Sequence, residues 1–156
     1  MKKTHDVNTE EIVNEQAPDN FSYCFKTDCA SADKCLRALA ARNLNREKVN
    51  LRIINPLVVN AAGEASCPYF RNVERVHVAY GFKRALAKIE LGKVKSVRTA
   101  IKALVCQRNY YYLQRGDKPI YPSMQKKIEN ILHLHGLPSP IEFDRYEWHY
   151  KWNEES

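Results

Sequence analysis

Apolar positions recur at helical intervals through much of this chain. From Ser31, the residues Ala32, Cys35, Leu36, Leu39 and Ala40 fall on one face of a helix, with Ser31 placed to cap it. Phe82 to Leu91 reads as a second helix, with Ala85, Leu86 and Ile89 inward and Gly92 as its stop. Ser96 opens a third, whose face is Val97, Ala100, Ile101 and Leu104. A fourth covers 107–115 and ends at Gly116. A fifth starts at Ser123 after Pro122, carries Met124, Ile128, Ile131 and Leu132, and is terminated by Gly136 and Pro138. Strand signals are shorter. Residues 49–54 and 57–59 are β-branched and apolar around Asn55-Pro56 and predict extended segments. Residues 73–82 fit two periods: Val76, Val78, Tyr80 and Phe82 alternate like a strand, and Val73, Val76 and Tyr80 suit a helix. In the run 143–152, Phe143, Tyr146 and Tyr150 lie at helical spacing and Trp148 and Trp152 form a second row. This aromatic run is expected to dock over the core, with a stacking platform for unpaired bases as its alternative use.

These elements predict a mainly α fold with a few short strands. Residues 1–20 read as a flexible tail, 21–70 as a small cysteine-bearing N-terminal module, 71–136 as a basic helical body, and 137–156 as an aromatic, acidic tail. A hydrophobic share of 44% and a charged share of 28% are those of a globular chain. No apolar run is long enough for a membrane span, and the polar start, Met1-Lys2-Lys3-Thr4, shows no secretory pattern. A cytoplasmic location, with thiols reduced, is therefore expected.

Charge sharpens the picture. The net charge of +7 hides two acidic ends around a strongly basic middle. Residues 71–118 alone hold 12 Lys and Arg against 3 acids. A basic body is the footprint of a protein that meets phosphates. Within it, residues 99–132 resemble the second half of the phage-repressor-type helix-turn-helix family. Ala100 stands at the small packing position and Val105 at the buried turn position. Leu113-Gln114-Arg115-Gly116 matches the end of the recognition helix, and Pro122-Ser123 with Ile128, Ile131 and Leu132 matches the helix that follows. Leu104 departs from the pattern, since the family favours Gly there. The resemblance implies a helix-turn-helix-like body whose recognition helix starts at Cys106. Tyr110 and Leu113 would pack inward, and Gln107, Arg108, Tyr111, Tyr112 and Arg115 would face double-stranded DNA. Gln and Arg side chains suit bidentate bonds to base edges. Lys102, Lys118, Lys126 and Lys127 would neutralise phosphates.

Five cysteines are present. Cys24, Cys29, Cys35 and Cys67 have the number of thiols a tetrahedral zinc ion or an iron–sulfur cluster takes, without the paired knuckles of common zinc sites. Their alternative is four small buried hydrophobes and no metal. His77 is the reserve ligand should Cys67 not serve. No glycine-rich phosphate loop, dinucleotide fingerprint, nucleophile elbow or paired-His motif occurs, so no enzyme is expected.

Across most of its length the chain resembles a domain-of-unknown-function family of gut-bacterial proteins with an N-terminal cysteine cluster. Cys24, Cys29, Cys35-Leu36-Arg37, Cys67-Pro68-Tyr69-Phe70 and the aromatic tail carry that resemblance. It implies one compact unit and lends no chemistry. The function expected is regulatory or architectural DNA binding without catalysis. The alternatives are a metal-stabilised module whose basic face meets an acidic protein, and an iron–sulfur or redox protein.

Overall fold

A computed structural model describes residue 14, residues 17–61 and residues 67–152, and of residues 60 and 61 the backbone alone. Most of the predicted flexible tail lies outside the described residues. Its described end is tied down, because Asn14 Nδ2 donates to the carbonyls of Ala40 and Asn43 at 3.0 and 2.7 Å. The fold is mainly helical with short strands. The chain divides after Glu74 into two compact units. Among the described residues no helix is long and apolar enough to cross a membrane.

In the first unit, strand β1 (Ser22–Tyr23) pairs in parallel with β2 (Arg52–Ile53). A 3-10 turn at Ala32–Lys34 precedes helix α1 (Leu36–Arg42). The helix expected from Ser31 thus begins later. Cys35 occupies its N-cap, and Ser31 makes no side-chain cap bond. The extended reading of 57–59 also needs correction, because Pro56–Ala61 is helix α2. Pro56 presets the first helical φ, and Asn55 Oδ1 accepts the Leu57 N–H at 3.0 Å. That local cap outweighs the β preference of Leu57-Val58-Val59. Phe21, Tyr23, Leu36, Leu39 and Ala40 form the buried interior of this unit.

The second unit runs β3 (Arg75–Tyr80), α3 (Lys83–Ala87), α4 (Leu91–Val105), α5 (Gln107–Arg115), α6 (Pro122–Leu134) and β4 (Arg145–Tyr150). The ambiguous 73–82 segment is therefore a strand. The C-terminal aromatics also form a strand, where their spacing had indicated a helix. β3 and β4 pair antiparallel along their whole length, from Arg75 opposite Tyr150 to Tyr80 opposite Arg145. On the other edge of β3, Ala79 and Ile120 exchange two backbone bonds of 3.0 and 2.7 Å. Helix α4 begins five residues before Ser96, so Gly92 sits in its first turn rather than ending the previous helix. Gly116, at φ +83°, closes α5: its N–H and that of Asp117 bond the Leu113 and Tyr112 carbonyls. The core gathers Phe82, Leu86, Val97, Ile101, Tyr110, Ile128, Leu132 and Phe143. Each fully buried aliphatic among them contributes about 1.5–3 kcal/mol of burial.

One carboxylate closes this unit. Asp144 accepts the N–H groups of Lys83 and Arg84 at 2.9 and 3.0 Å, capping α3 from 61 and 60 positions away. Arg84 returns the contact, donating to the carbonyls of Phe143 and Asp144 at 3.0 and 2.7 Å. Gly81, at φ +71°, lies under the same carboxylate, and any Cβ there would strike it. We expect Asp144→Ala to lower stability by about 1–2 kcal/mol, as loss of a helix cap does, with the Arg84 ion pair adding little. The urea midpoint checks this, and an unchanged midpoint would remove the cap from the account.

Tyr80 offers a second handle. Its hydroxyl shares a hydrogen bond of 3.0 Å with Nε2 of buried His149. Burial, and next the charge of Glu147, push its phenol up to about 12. The unfolded phenol ionises at its ordinary 10, so the contribution of protonated Tyr80 is whole below pH 10 and is lost as pH rises through 12. Tyr80→Phe should flatten that part of the alkaline stability loss. Urea midpoints of both proteins across this range test it, and parallel curves would contradict it.

Candidate nucleic-acid-binding surface and thiol cavity

Helix α5 buries Tyr110 and Leu113 and turns the opposite face outward. Gln107, Arg108, Tyr111 and Arg115 are exposed and Tyr112 is half-buried. These side chains are not equivalent. Gln107 and Arg108 reach no hydrogen-bond or ionic partner among the described residues. Arg115 pairs with Asp117 at 2.7 Å, and its guanidinium lies 5.5 Å from the centre of the Tyr112 ring. Lys118 stands 5.1 Å from the same ring and donates to Asn109 Oδ1 at 3.3 Å. Lys102, on α4, lies 5.3 and 4.9 Å from the Tyr110 and Tyr111 rings and donates to the Tyr111 hydroxyl at 3.2 Å. The tyrosines thus hold three cations by their ring faces. Lys126 and Lys127 are exposed on α6. Burial raises the Tyr110 phenol above its ordinary value, against the lowering effect of nearby Arg98. Asn109 and Arg98 were not anticipated from the sequence, since neither belongs to a motif.

A single residue, Cys106, links α4 and α5. Its φ of 60° and ψ of 160° are unusual for any residue with a side chain. The irregular position therefore falls two residues after Leu104, which stays helical and 42% exposed. Val105, the final residue of α4, packs on the core half-buried. The first turn of α5 carries no acidic residue, and its N-cap residue Cys106 makes no side-chain cap bond.

In the first unit, Cys24, Cys29, Cys35 and Cys67 all line one apolar cavity of about 20 Å³. All are free thiols. They come from four places: the end of β1, the turn before the 3-10 segment, the N-cap of α1, and the turn 67–70. Arg37 also lines the cavity, held by the carbonyls of Ser22 at 2.6 Å and Tyr69 at 3.1 Å. Tyr69 and Phe70, which follow Cys67, complete one wall. Among the described residues, no three ligating side chains are grouped closely enough to hold an ion as they stand. His77 lies on β3, in the second unit, its ring 4.8 Å from Tyr146 and 4.7 Å from Trp148. Cys106, the fifth cysteine, is exposed.

A profile of the family of unknown function DUF6078 matches residues 1–152, across both units. The chain belongs to this family. No curated protein and no solved structure matches it. The DUF6078 match therefore accounts for the chain as one family unit, and its chemistry has to be argued from the residues themselves.

The α4–α5 link carries its own expectation. A backbone like that of Cys106 costs about 1–3 kcal/mol in a residue with a side chain, whereas glycine adopts it freely and costs about 0.5–1 kcal/mol through the unfolded chain. Cys106→Gly should raise the urea midpoint, by up to about 2 kcal/mol of stability, and Cys106→Ala should not. A Gly variant no more stable than the Ala variant would contradict strain at this link.

Proposed function

We propose that this DUF6078 chain binds double-stranded DNA, with α4 and α5 acting as a helix-turn-helix and α5 entering the major groove. The carrying observation is the first turn of α5. Gln107 and Arg108 are exposed there, without hydrogen-bond or ionic partners among the described residues, in a segment rich in Lys and Arg. A guanidinium fork and an amide at the start of such a helix suit the hydrogen-bonding edges of bases. Tyr111, on the same face, adds an apolar and hydroxyl contact. Lys102, Lys118 and Arg115 are braced by tyrosine rings, which cuts the side-chain freedom lost when they meet phosphates. Lys126 and Lys127 add cations from α6. The protein would act without catalysis, as a regulator or an architectural factor.

A preferred duplex selected from a random pool separates the two classes of contact. Arg108→Ala should cost about 1–3 kcal/mol on that site and markedly less on random duplex. Lys126→Ala should weaken both alike and reduce the salt slope by about one. If duplex binding is absent or indifferent to salt, the proposal fails. Equal losses for Arg108→Ala on both duplexes would remove its base-reading role.

A further inference from the structure

The geometry points to a mononuclear metal site in the first unit: Cys24, Cys29, Cys35 and Cys67 close as thiolates on one zinc-type divalent ion. Cys24, Cys29 and Cys35, close in sequence, and the more distant Cys67 share one small cavity, although they sit on four separate pieces of backbone. Each piece is pinned. The Cys24 N–H donates to the Arg37 carbonyl at 3.2 Å. The carbonyls of Cys29 and Cys67 accept the N–H groups of Ala32 and Phe70, each at 3.0 Å. Cys35 is fixed by its N-cap geometry and by the N–H groups of Ala38 and Leu39, which its carbonyl accepts at 3.1 and 3.0 Å. As they stand the four do not form an ion-holding group among the described residues, so the site would close by movement of the cysteine side chains.

Size selects the guest. About 20 Å³ admits one water-sized body, whereas an iron–sulfur cluster is several atoms across. An apolar wall offers a bare ion no oxygen ligands, and sulfur is the donor that soft and borderline cations take. Four thiolates around one ion place sulfur at about 2.3 Å from it in a tetrahedron. The balance is simple: each of the four S–H groups releases its proton to solvent, and four metal–sulfur bonds form. The resulting site is anionic, and Arg37, one of the residues that line the cavity, is a nearby cation that offsets part of that charge.

Cobalt provides the direct probe, used on the full chain after reduction. Co²⁺ should give an intense thiolate-to-metal absorption and tetrahedral d–d bands that saturate at about one ion per chain. Zinc should displace it and abolish the colour. Protein grown with zinc and purified without chelator should carry about one zinc by elemental analysis. In that form only Cys106 should react quickly with a thiol reagent, and after chelation the other four should become reactive. Cys106→Ser should keep the ion, and Cys29→Ser should lose it. If Cys29→Ser does not fold, the cobalt titration of the unaltered chain still decides. Absence of cobalt–thiolate absorption in folded, reduced protein would overturn the site. Iron with inorganic sulfide in the purified chain, or ion retention in Cys29→Ser, would overturn it equally.

Discussion

The second unit depends on a strand pair that brings its two ends together. β3 opens the unit and β4 closes it, and their full-length antiparallel register encloses four helices between them. The pairing sets a boundary of the core: Ala79 of β3 packs within the helical core cluster, and Val76, Val78, His149 and Tyr150 are buried on the strand pair. The Asp144 carboxylate then converts strand pairing into helix placement. It follows Phe143, a buried core residue, and it binds the exposed N–H groups that open α3. A helix of five residues has little intrinsic stability, so this distant cap is a large part of what keeps α3 in place. The acidic residues near the C-terminus thus have structural duties: Asp144 caps a helix, and Glu147 is tied to Arg145 and His149.

Within that frame, α5 divides its polar residues into two kinds. Some cations are already engaged by the protein: Lys102, Arg115 and Lys118 lie on tyrosine faces or against Asp117 and Asn109. Such contacts at an exposed surface are weak, on the order of 0.5–1 kcal/mol each, and a phosphate can replace them. They hold the side chains near one posture without consuming their charge. Gln107 and Arg108 are the other kind, carrying hydrogen-bonding groups that find no partner among the described residues. The run Tyr110-Tyr111-Tyr112 therefore serves two ends at once: the Tyr110 ring fills the core, and the ring faces of all three support cations.

Much of the helical body was legible in the sequence. α5 runs from Gln107 to Arg115 and stops at Gly116 as its local signals indicate, and Pro122 opens α6. The buried set Val97, Ile101, Ile128 and Leu132 follows from spacing alone. Other positions misled. Leu57-Val58-Val59 has strand chemistry and yet is helical, because Asn55 and Pro56 cap it. The run 143–152 has aromatics at helical spacing and forms a strand, because β3 offers it a hydrogen-bonding edge. At the α4–α5 link the sequence pointed to Leu104, and the irregular backbone lies at Cys106.

Periodicity, end-capping residues and charge are properties of neighbouring positions, so the sequence by itself determined the helical character, the sites of α5 and α6, and the basic segment that carries them. The strand identity of 75–80 and 145–150, the capping of α3 by Asp144, and the meeting of four cysteines at one cavity were decided only by the tertiary structure. The strand pairing and the cap join residues far apart along the chain, 61 positions in the case of Lys83 and Asp144, and Cys67 comes to the cavity from well beyond the other three cysteines. A local pattern holds no record of which distant hydrogen-bonding groups, or which sulfurs, packing will bring within reach.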